Sequence, residues 1–357
     1  LLEHAANKFD LNTSQAQMVR ELATSGDRLQ LALAPAGTGK TTAMAVLRSA
    51  WEAEGGRVLG LAPTAAAAAA LEGDLDATTD TLGKLVHTLR EFDDAEPGDV
   101  VGVPEWFDRI DKTSLVVIDE AGMASTADLD RAVQFLLDRG ASIRLVGDDQ
   151  QLASVAAGGV LRDIATTAGA ITLTDVVRFE DNAEGLASLD LRAGNPEAIG
   201  FYIDNNRVHV GDIVAAEDQA YSAWQRDIDN DLDAVMLAPT RETVRTLNER
   251  ARTDRLAASN KKIIGREVTL ADGLQASVGD VITTRRNDRR IVVGATDFVR
   301  NGSRWIIEEV RIDGALRVRR IGDQRTVTLP ADYVAGNVDL GYARTIHGAQ
   351  GITADTC

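Results

Sequence analysis

The chain reads as an α/β protein: a parallel sheet covered by helices, followed by a second α/β domain that a small antiparallel barrel interrupts. Three observations lead there. Short apolar runs suited to buried strands alternate with amphipathic helical runs across the first half of the chain. The first run, Leu29 to Ala34, breaks at Pro35 and passes through Gly37 and Gly39 into a helical run with Met44, Val46 and Leu47. Such a strand–loop–helix is the form of a phosphate-binding loop. Between residues 263 and 337, β-rich runs are punctuated by Asn287-Asp288, Asn301-Gly302 and Asp313-Gly314 turns.

In order along the chain, residues 1–28 read as helix, with N-cap candidates Asn12, Thr13 and Ser14 ahead of Met18, Val19 and Leu22. After the loop and its helix come a second strand at 58–62, closed by Pro63-Thr64, and an alanine-rich helix at 65–71. The stretch 91–112, acidic and carrying Pro97-Gly98 and Pro104, reads as loop, with Trp106-Phe107 as a core anchor. A third buried strand, Leu115 to Ile118, ends in Asp119-Glu120; helix 126–139 and a fourth strand, 143–146, follow, and Ile171 to Leu173 is a fifth. Beyond 180 the pattern gives strands at 208–210 and 234–238 and a helix at 242–258. The barrel runs are 278–284, 304–310, 316–321 and 325–329, and a strand at 338–343 returns to the second domain.

Composition narrows the classes. Apolar residues make up 44%, enough for real cores, and no run approaches the roughly 20 residues of a membrane span. A single cysteine, Cys357, leaves no disulfide framework and suits a cytoplasmic setting. His4, His87, His209 and His347 have no metal-ligand spacing. Net charge is −17, which argues against indiscriminate nucleic-acid binding, yet eleven Arg face seven Asp or Glu between Asp280 and Arg325. That basic module suits a localised anionic contact or an ordinary solvated strand face. A start at Leu1 suggests a segment of something longer.

The chemistry lies at strand ends. In Ala36-Gly37-Thr38-Gly39-Lys40-Thr41-Thr42, glycines let backbone N–H groups turn inward around an anion, and the helix N-terminus adds partial positive charge. Lys40 supplies a point charge for β- and γ-phosphates and Thr41 a hydroxyl for Mg²⁺, so ATP and Mg²⁺ are the expected cofactors. Ala34 stands where this loop type begins with glycine. Asp119 suits the water shell of Mg²⁺, and Glu120 suits polarisation of an attacking water. Gln151, in Gly147-Asp-Asp-Gln-Gln-Leu152, is placed to bond a γ-phosphate. In a parallel sheet all these residues converge on one rim.

Together these segments resemble a known family. Ala-Pro-Ala-Gly-Thr-Gly-Lys-Thr (34–41), Ala-Pro-Thr (62–64), Val-Ile-Asp-Glu-Ala-Gly-Met (117–123), Gly-Asp-Asp-Gln-Gln-Leu (147–152), Val-Val-Arg-Phe (176–179) and Thr-Ile-His-Gly-Ala-Gln-Gly (345–351) occur in the order seen in superfamily-one DNA helicases. The chain is most similar to the RecD-like branch, which translocates 5′ to 3′, and within it to the helicase portion of conjugative relaxases of the TraA/TraI/TrwC (MobF) kind. The resemblance covers about 10–357.

It implies two RecA-like motor domains of the P-loop NTPase class, the first at 1–175 and the second at 176–262 and 338–357, with an SH3-like barrel inserted at 263–337. Gln15 matches an adenine-reading glutamine. Arg178 matches an arginine that reaches the γ-phosphate from the second domain. Thr64, His87, Thr345 and His347 fall in motifs that touch single-stranded DNA, and Gln350-Gly351 closes the last of them; His87 and His347 also read as packing histidines. The implied activity is ATP-dependent translocation or unwinding, with single-stranded DNA, ATP/ADP and conjugation-machinery proteins as partners. The family continues past the position of Cys357 to a second arginine, so turnover by this span alone is expected below ~1 s⁻¹. The alternatives are a stand-alone RecD-like repair helicase and a non-hydrolysing, ATP-binding DNA scaffold.

Overall fold

The computed structural model describes residues 11–35, 37–96, 99–151, 159–176, 179, 181–258, 265–294, 297–349, 352 and 354–357. Two compact units divide the chain, Leu1–Asn205 and Asn206–Cys357.

The first unit is built on a six-stranded, wholly parallel sheet. Its strands are β1 (Leu29–Leu33), β2 (Arg57–Ala62), β3 (Thr78–Thr81), β4 (Ser114–Ile118), β5 (Ser142–Gly147) and β6 (Ile171–Thr172), in the order β3-β2-β4-β5-β1-β6. Because β1 lies between β5 and β6, the chain leaves β1 toward one edge and leaves β5 toward the other. That switch point opens a crevice at the carboxyl ends of β1 and β5, where such sheets bind ligands.

Alternate residues of each strand face opposite layers. Leu31, Leu33, Val116, Ile118, Ile143 and Leu145 join Leu82, Leu85, Leu129 and Leu136 from the helices Leu82–Asp94 and Thr126–Asp138. Ala32, Leu115, Val117 and Val146 join Met18, Leu22, Met44, Leu47 and Leu71 from Thr13–Thr24, Lys40–Ala53 and Ala65–Leu75. On that second face Arg144 is buried. Its guanidinium donates to the carbonyls of Leu22 at 2.8 and 3.0 Å and of Asp27 at 3.3 Å, pinning the end of helix Thr13–Thr24 to β5. Burial draws its pKa down to about 10.

Two differences from the sequence reading concern strands. The edge strand β3, Thr-Thr-Asp-Thr, has no apolar residue to announce it; only backbone pairing with β2 makes it a strand. Conversely, no strand forms at 208–210: Val208 and Val210 are exposed, and among the described residues no edge pairs with them.

In the second unit, helices Ile213–Asp229 and Arg241–Ala258 flank β7 (Met236–Ala238). The barrel region follows as β8 (Val268–Thr269), β9 (Gln275–Ala276), β10 (Val281–Thr284), β11 (Asp288–Val292), β12 (Phe298–Val299), β13 (Arg304–Val310), β14 (Leu316–Arg320) and β15 (Thr326–Leu329). A short helix, Ala331–Asn337, leads to β16 (Val338–Leu340) and β17 (Ala343–Thr345). The main antiparallel sheet runs β15-β14-β13-β10-β16.

The strand expected at 338–343 is split in two. β16 completes the barrel sheet against β10, and β17 pairs in parallel with β7. The break falls at Gly341, where a Cβ would stand 2.8 Å from the Ile282 carbonyl carbon, so only glycine fits. Among the described residues, β7 and β17 with the bridge Ala234–Thr356 are the parallel pairings of this unit.

One core unites the barrel with its α/β neighbours: Ile282, Trp305, Leu316 and Val318 pack with Met236, Leu247, Ala251 and Tyr342. At its edge the fully buried Asp280 accepts from Arg252 Nε at 3.1 Å, Arg255 Nε at 2.9 Å, the Tyr342 hydroxyl at 2.7 Å and the Ser277 amide at 2.7 Å. Arg344 reaches from β17 to the Gly302 carbonyl at 2.7 Å and to the Thr283 hydroxyl. Burial, with Arg304 and Arg285 nearby, lowers its pKa to about 10.

Candidate nucleotide site

The loop after β1 takes its shape from two left-handed glycines, Gly37 at φ 82° and Gly39 at φ 72°. Gly39 is the N-cap of helix Lys40–Ala53, so Lys40 begins the helix. The Thr38 hydroxyl, buried, donates to the Pro35 carbonyl at 2.9 Å and folds the loop on itself. Gln15 supports it from beneath: Nε2 donates to the carbonyls of Thr38 at 3.0 Å and Gly39 at 3.4 Å. Its Oε1 accepts from the Asn12 amide at 3.0 Å, closing a capping box that fixes the first helix.

Lys40 meets the end of β4. Its Nζ lies 2.7 Å from Asp119 Oδ1 and 2.9 Å from Glu120 Oε1. Burial alone would lower the lysine pKa; Asp119 and Glu120 outweigh it and hold the ammonium above the ordinary lysine range. Glu120 occupies the left-handed region at φ 50°, uncommon for a residue with a side chain and typical of functional turns.

The neighbouring strand end adds a third turn. Asp148 is nearly buried and accepts from Arg192 Nη2 at 2.6 Å, Arg192 Nε at 3.1 Å and the Gln150 amide at 3.0 Å. Gln151 lies in this turn, part-buried.

Several residues singled out by sequence stand elsewhere. The Thr41 hydroxyl donates to Asp74 at 3.0 Å, on the helix Ala65–Leu75. Thr64 caps that helix by accepting from the Ala67 amide at 3.1 Å. His87 is exposed on helix Leu82–Asp94, 3.6 Å from Glu91, so it is not a packing histidine. Thr345 ends β17 and its Oγ1 accepts from the Gly348 amide at 3.1 Å, while His347 is exposed in the turn that follows. Thr42 is part-buried in the first turn of helix Lys40–Ala53. Ala36, Arg178 and Gln350-Gly351 lie outside the described residues. Asp74 and Arg192 escaped the sequence reading because an acid and an arginine on helices carry no spacing signal.

The residues suit a nucleotide phosphate: a glycine-shaped cradle at a helix N-terminus with a lysine at its mouth. Among the described residues no group of three or more His, Cys, Asp or Glu is placed to hold a metal unaided. Asp119 Oδ1 is buried against the Lys40 ammonium at 2.7 Å, a hard oxygen of the kind Mg²⁺ accepts when phosphate draws the lysine away and phosphate and water complete its shell.

Fold and site define a P-loop, ATP-binding α/β domain. The chain belongs to the AAA domain family, whose model matches residues 10–213; a second model, the Rv2311 SH3-like barrel domain, matches 268–339. The probable conjugal transfer protein TraA of Sinorhizobium fredii is 31% identical over 99% of this chain and 31% of its own length. The conjugal transfer protein TraA of Agrobacterium fabrum is 31% identical over 92% of this chain and 28% of its own. The chain is thus homologous to TraA-type proteins and spans about a third of their length. Rv2311, an uncharacterized protein of Mycobacterium tuberculosis, is 39% identical over 17% of this chain and 35% of its own. The UvsW helicase of bacteriophage T4 aligns over 43% of this chain and 56% of that structure, at 15% identity and a TM-score of 0.30. No described helix is long and apolar enough to cross a membrane.

Proposed function

We propose that the chain is the ATP-driven motor segment of a conjugative DNA-transfer relaxase, moving 5′ to 3′ along single-stranded DNA. The observation that carries this is the junction of Lys40 with Asp119 and Glu120 at the carboxyl ends of β1 and β4. The TraA homology supplies the conjugative setting.

In this reading the loop Gly37–Thr42 binds the nucleotide phosphates and Lys40 transfers its charge from the two carboxylates to them. Magnesium bound with ATP neutralises phosphate charge, and Asp119 would hold it through its water shell together with the Thr41 hydroxyl. Glu120 accepts a proton from the attacking water, Gln151 registers the γ-phosphate, and Arg178 adds a charge from the second domain. Gln15 meets the adenine by exchanging its bonds to the loop. The two RecA-like domains are 1–175 and 176–262 with 338–357, and the SH3-like barrel is the insertion at 263–337. Thr64, His87, Thr345 and His347 contact the strand, their hydroxyls and imidazoles gripping phosphate without the broad positive charge that a −17 chain lacks.

The test uses the full-length protein and its Lys40→Ala variant on duplexes with a 5′ or a 3′ single-stranded tail. The parent should unwind the 5′-tailed duplex in an ATP-dependent manner, and the variant should not. Unwinding by the variant at the parent's rate would sink the motor reading; a preference for 3′ tails would sink the polarity.

A further inference from the structure

Arg192 ends the helix Asn182–Arg192, far along the chain from the phosphate loop, yet its guanidinium forks onto the turn after β5. Its Nη2 donates to Asp148 Oδ1 at 2.6 Å and to Asp149 Oδ1 at 3.0 Å, and its Nε sits 3.1 and 3.2 Å from the two Asp148 oxygens. The Asp148 side chain is only 4% exposed, so this is a desolvated, two-toothed ion pair rather than a surface one. The same Asp148 oxygen accepts from the Gln150 amide at 3.0 Å, which sets the backbone direction entering Gln151. Arg162 completes the clamp by donating to the Asp149 carbonyl at 3.1 Å.

The clamped turn also touches the acidic end of β4. A Cβ built on Gly147 would lie 3.4 Å from the amide nitrogens of Ala121 and Gly122, so the end of β5 packs directly against the residues following Glu120. One guanidinium therefore fixes the turn holding Gln151 and, through backbone contact, the turn holding Glu120.

We infer that Arg192 is a positioning residue for γ-phosphate recognition: its fork on Asp148 and Asp149 holds the Gln151 turn in the register at which ATP is told from ADP. The inference rests on the nucleotide site proposed above. It goes further in assigning discrimination of the third phosphate to a residue whose guanidinium is engaged by Asp148 and Asp149. Lysine cannot reproduce the fork, because it lacks the rigid pair of Nε and Nη2 donors that meet Asp148 together.

The experiment measures binding of fluorescent ATP and ADP analogues to the full-length protein and to its Arg192→Ala, Arg192→Lys and Asp148→Asn variants, with melting temperatures recorded for each. Arg192→Ala should weaken ATP about tenfold while ADP changes about twofold or less, the size expected from losing one charge-assisted contact. Arg192→Lys should recover part of that ratio, and Asp148→Asn should shift it in the same direction as Arg192→Ala. An unchanged ATP/ADP ratio in Arg192→Ala overturns the inference, and so does an equal loss for both nucleotides tracking a lowered melting temperature. If the parent binds neither nucleotide, the site reading itself fails and the inference with it; if the parent binds both and the variants match it, only the inference falls.

Discussion

Lys40 has two carboxylate neighbours within 3 Å, so a nucleotide must compete with the protein for this charge. Removing one competitor separates binding from chemistry. Glu120→Gln should slow hydrolysis by about 10²–10⁴, the usual contribution of a general base, while nucleotide affinity holds or rises. Stopped-flow binding beside steady-state turnover would check it; a parallel loss of affinity would mean that Glu120 shapes the loop rather than the reaction. At this scale, legibility followed spacing. Lys40, Asp119 and Glu120 were readable because each follows an apolar strand. The grip of Gln15 on the Thr38 and Gly39 carbonyls was not, because it is a tertiary contact between a helix and a loop more than twenty residues on.

Among the elements, the barrel strands carry their own charge network. Asp297 receives Arg320 at 2.5 Å, Arg300 at 2.9 Å and Arg325 at 3.5 Å. Burial by itself would raise its carboxyl; the hydrogen bond from Arg320 and the charge of Arg300 prevail and hold it below the usual carboxylate range. A folded pKa below the unfolded one means the network stabilises fully above the unfolded value, about 3.9, and fades as pH falls through the folded value. Thermal melting from pH 7 to pH 3 should show Asp297→Asn less stable than the parent at neutrality, with the gap closing below about pH 4. A constant gap would show that the carboxylate charge is not what matters. Element recognition succeeded where periodicity was strong, as at Arg304–Val310. It failed at Thr78–Thr81, a polar edge that only pairing makes a strand, and at Val208–Val210, where valines occur without a partner edge.

For the molecule as a whole, one buried carboxylate ties the long helix and the residue before β17 to the barrel at the edge of the second unit's apolar core. Asp280 neutralises Arg252 and Arg255 from the long helix and takes the Tyr342 hydroxyl beside β17. Burial, with Asp280 adding to it, pushes the Tyr342 phenol well above its ordinary range, so it stays a proton donor throughout physiological pH. Asp280→Ala takes the buried partner from both guanidiniums, leaving Arg252 with Glu267 and Arg255 with Ser277 and the Val278 carbonyl, and should cost this unit about 3 kcal/mol, the lower end for breaking a buried pair. Denaturant titration would measure it; a loss under about 1 kcal/mol, the scale of a surface pair, would contradict the burial seen here.

The step from β16 to β17 has a practical outcome. Within two residues, Gly341 and Tyr342, the backbone passes from one sheet into another, so a shift of Thr345 by a single strand residue, about 3.3 Å, must tug Leu340 and the β10 ladder with it. Swapping barrels between homologues at residue 340 would sever a wall shared by Trp305 and Leu247. A workable graft carries the helix Arg241–Ala258 along, making the transplantable piece larger than the barrel by itself.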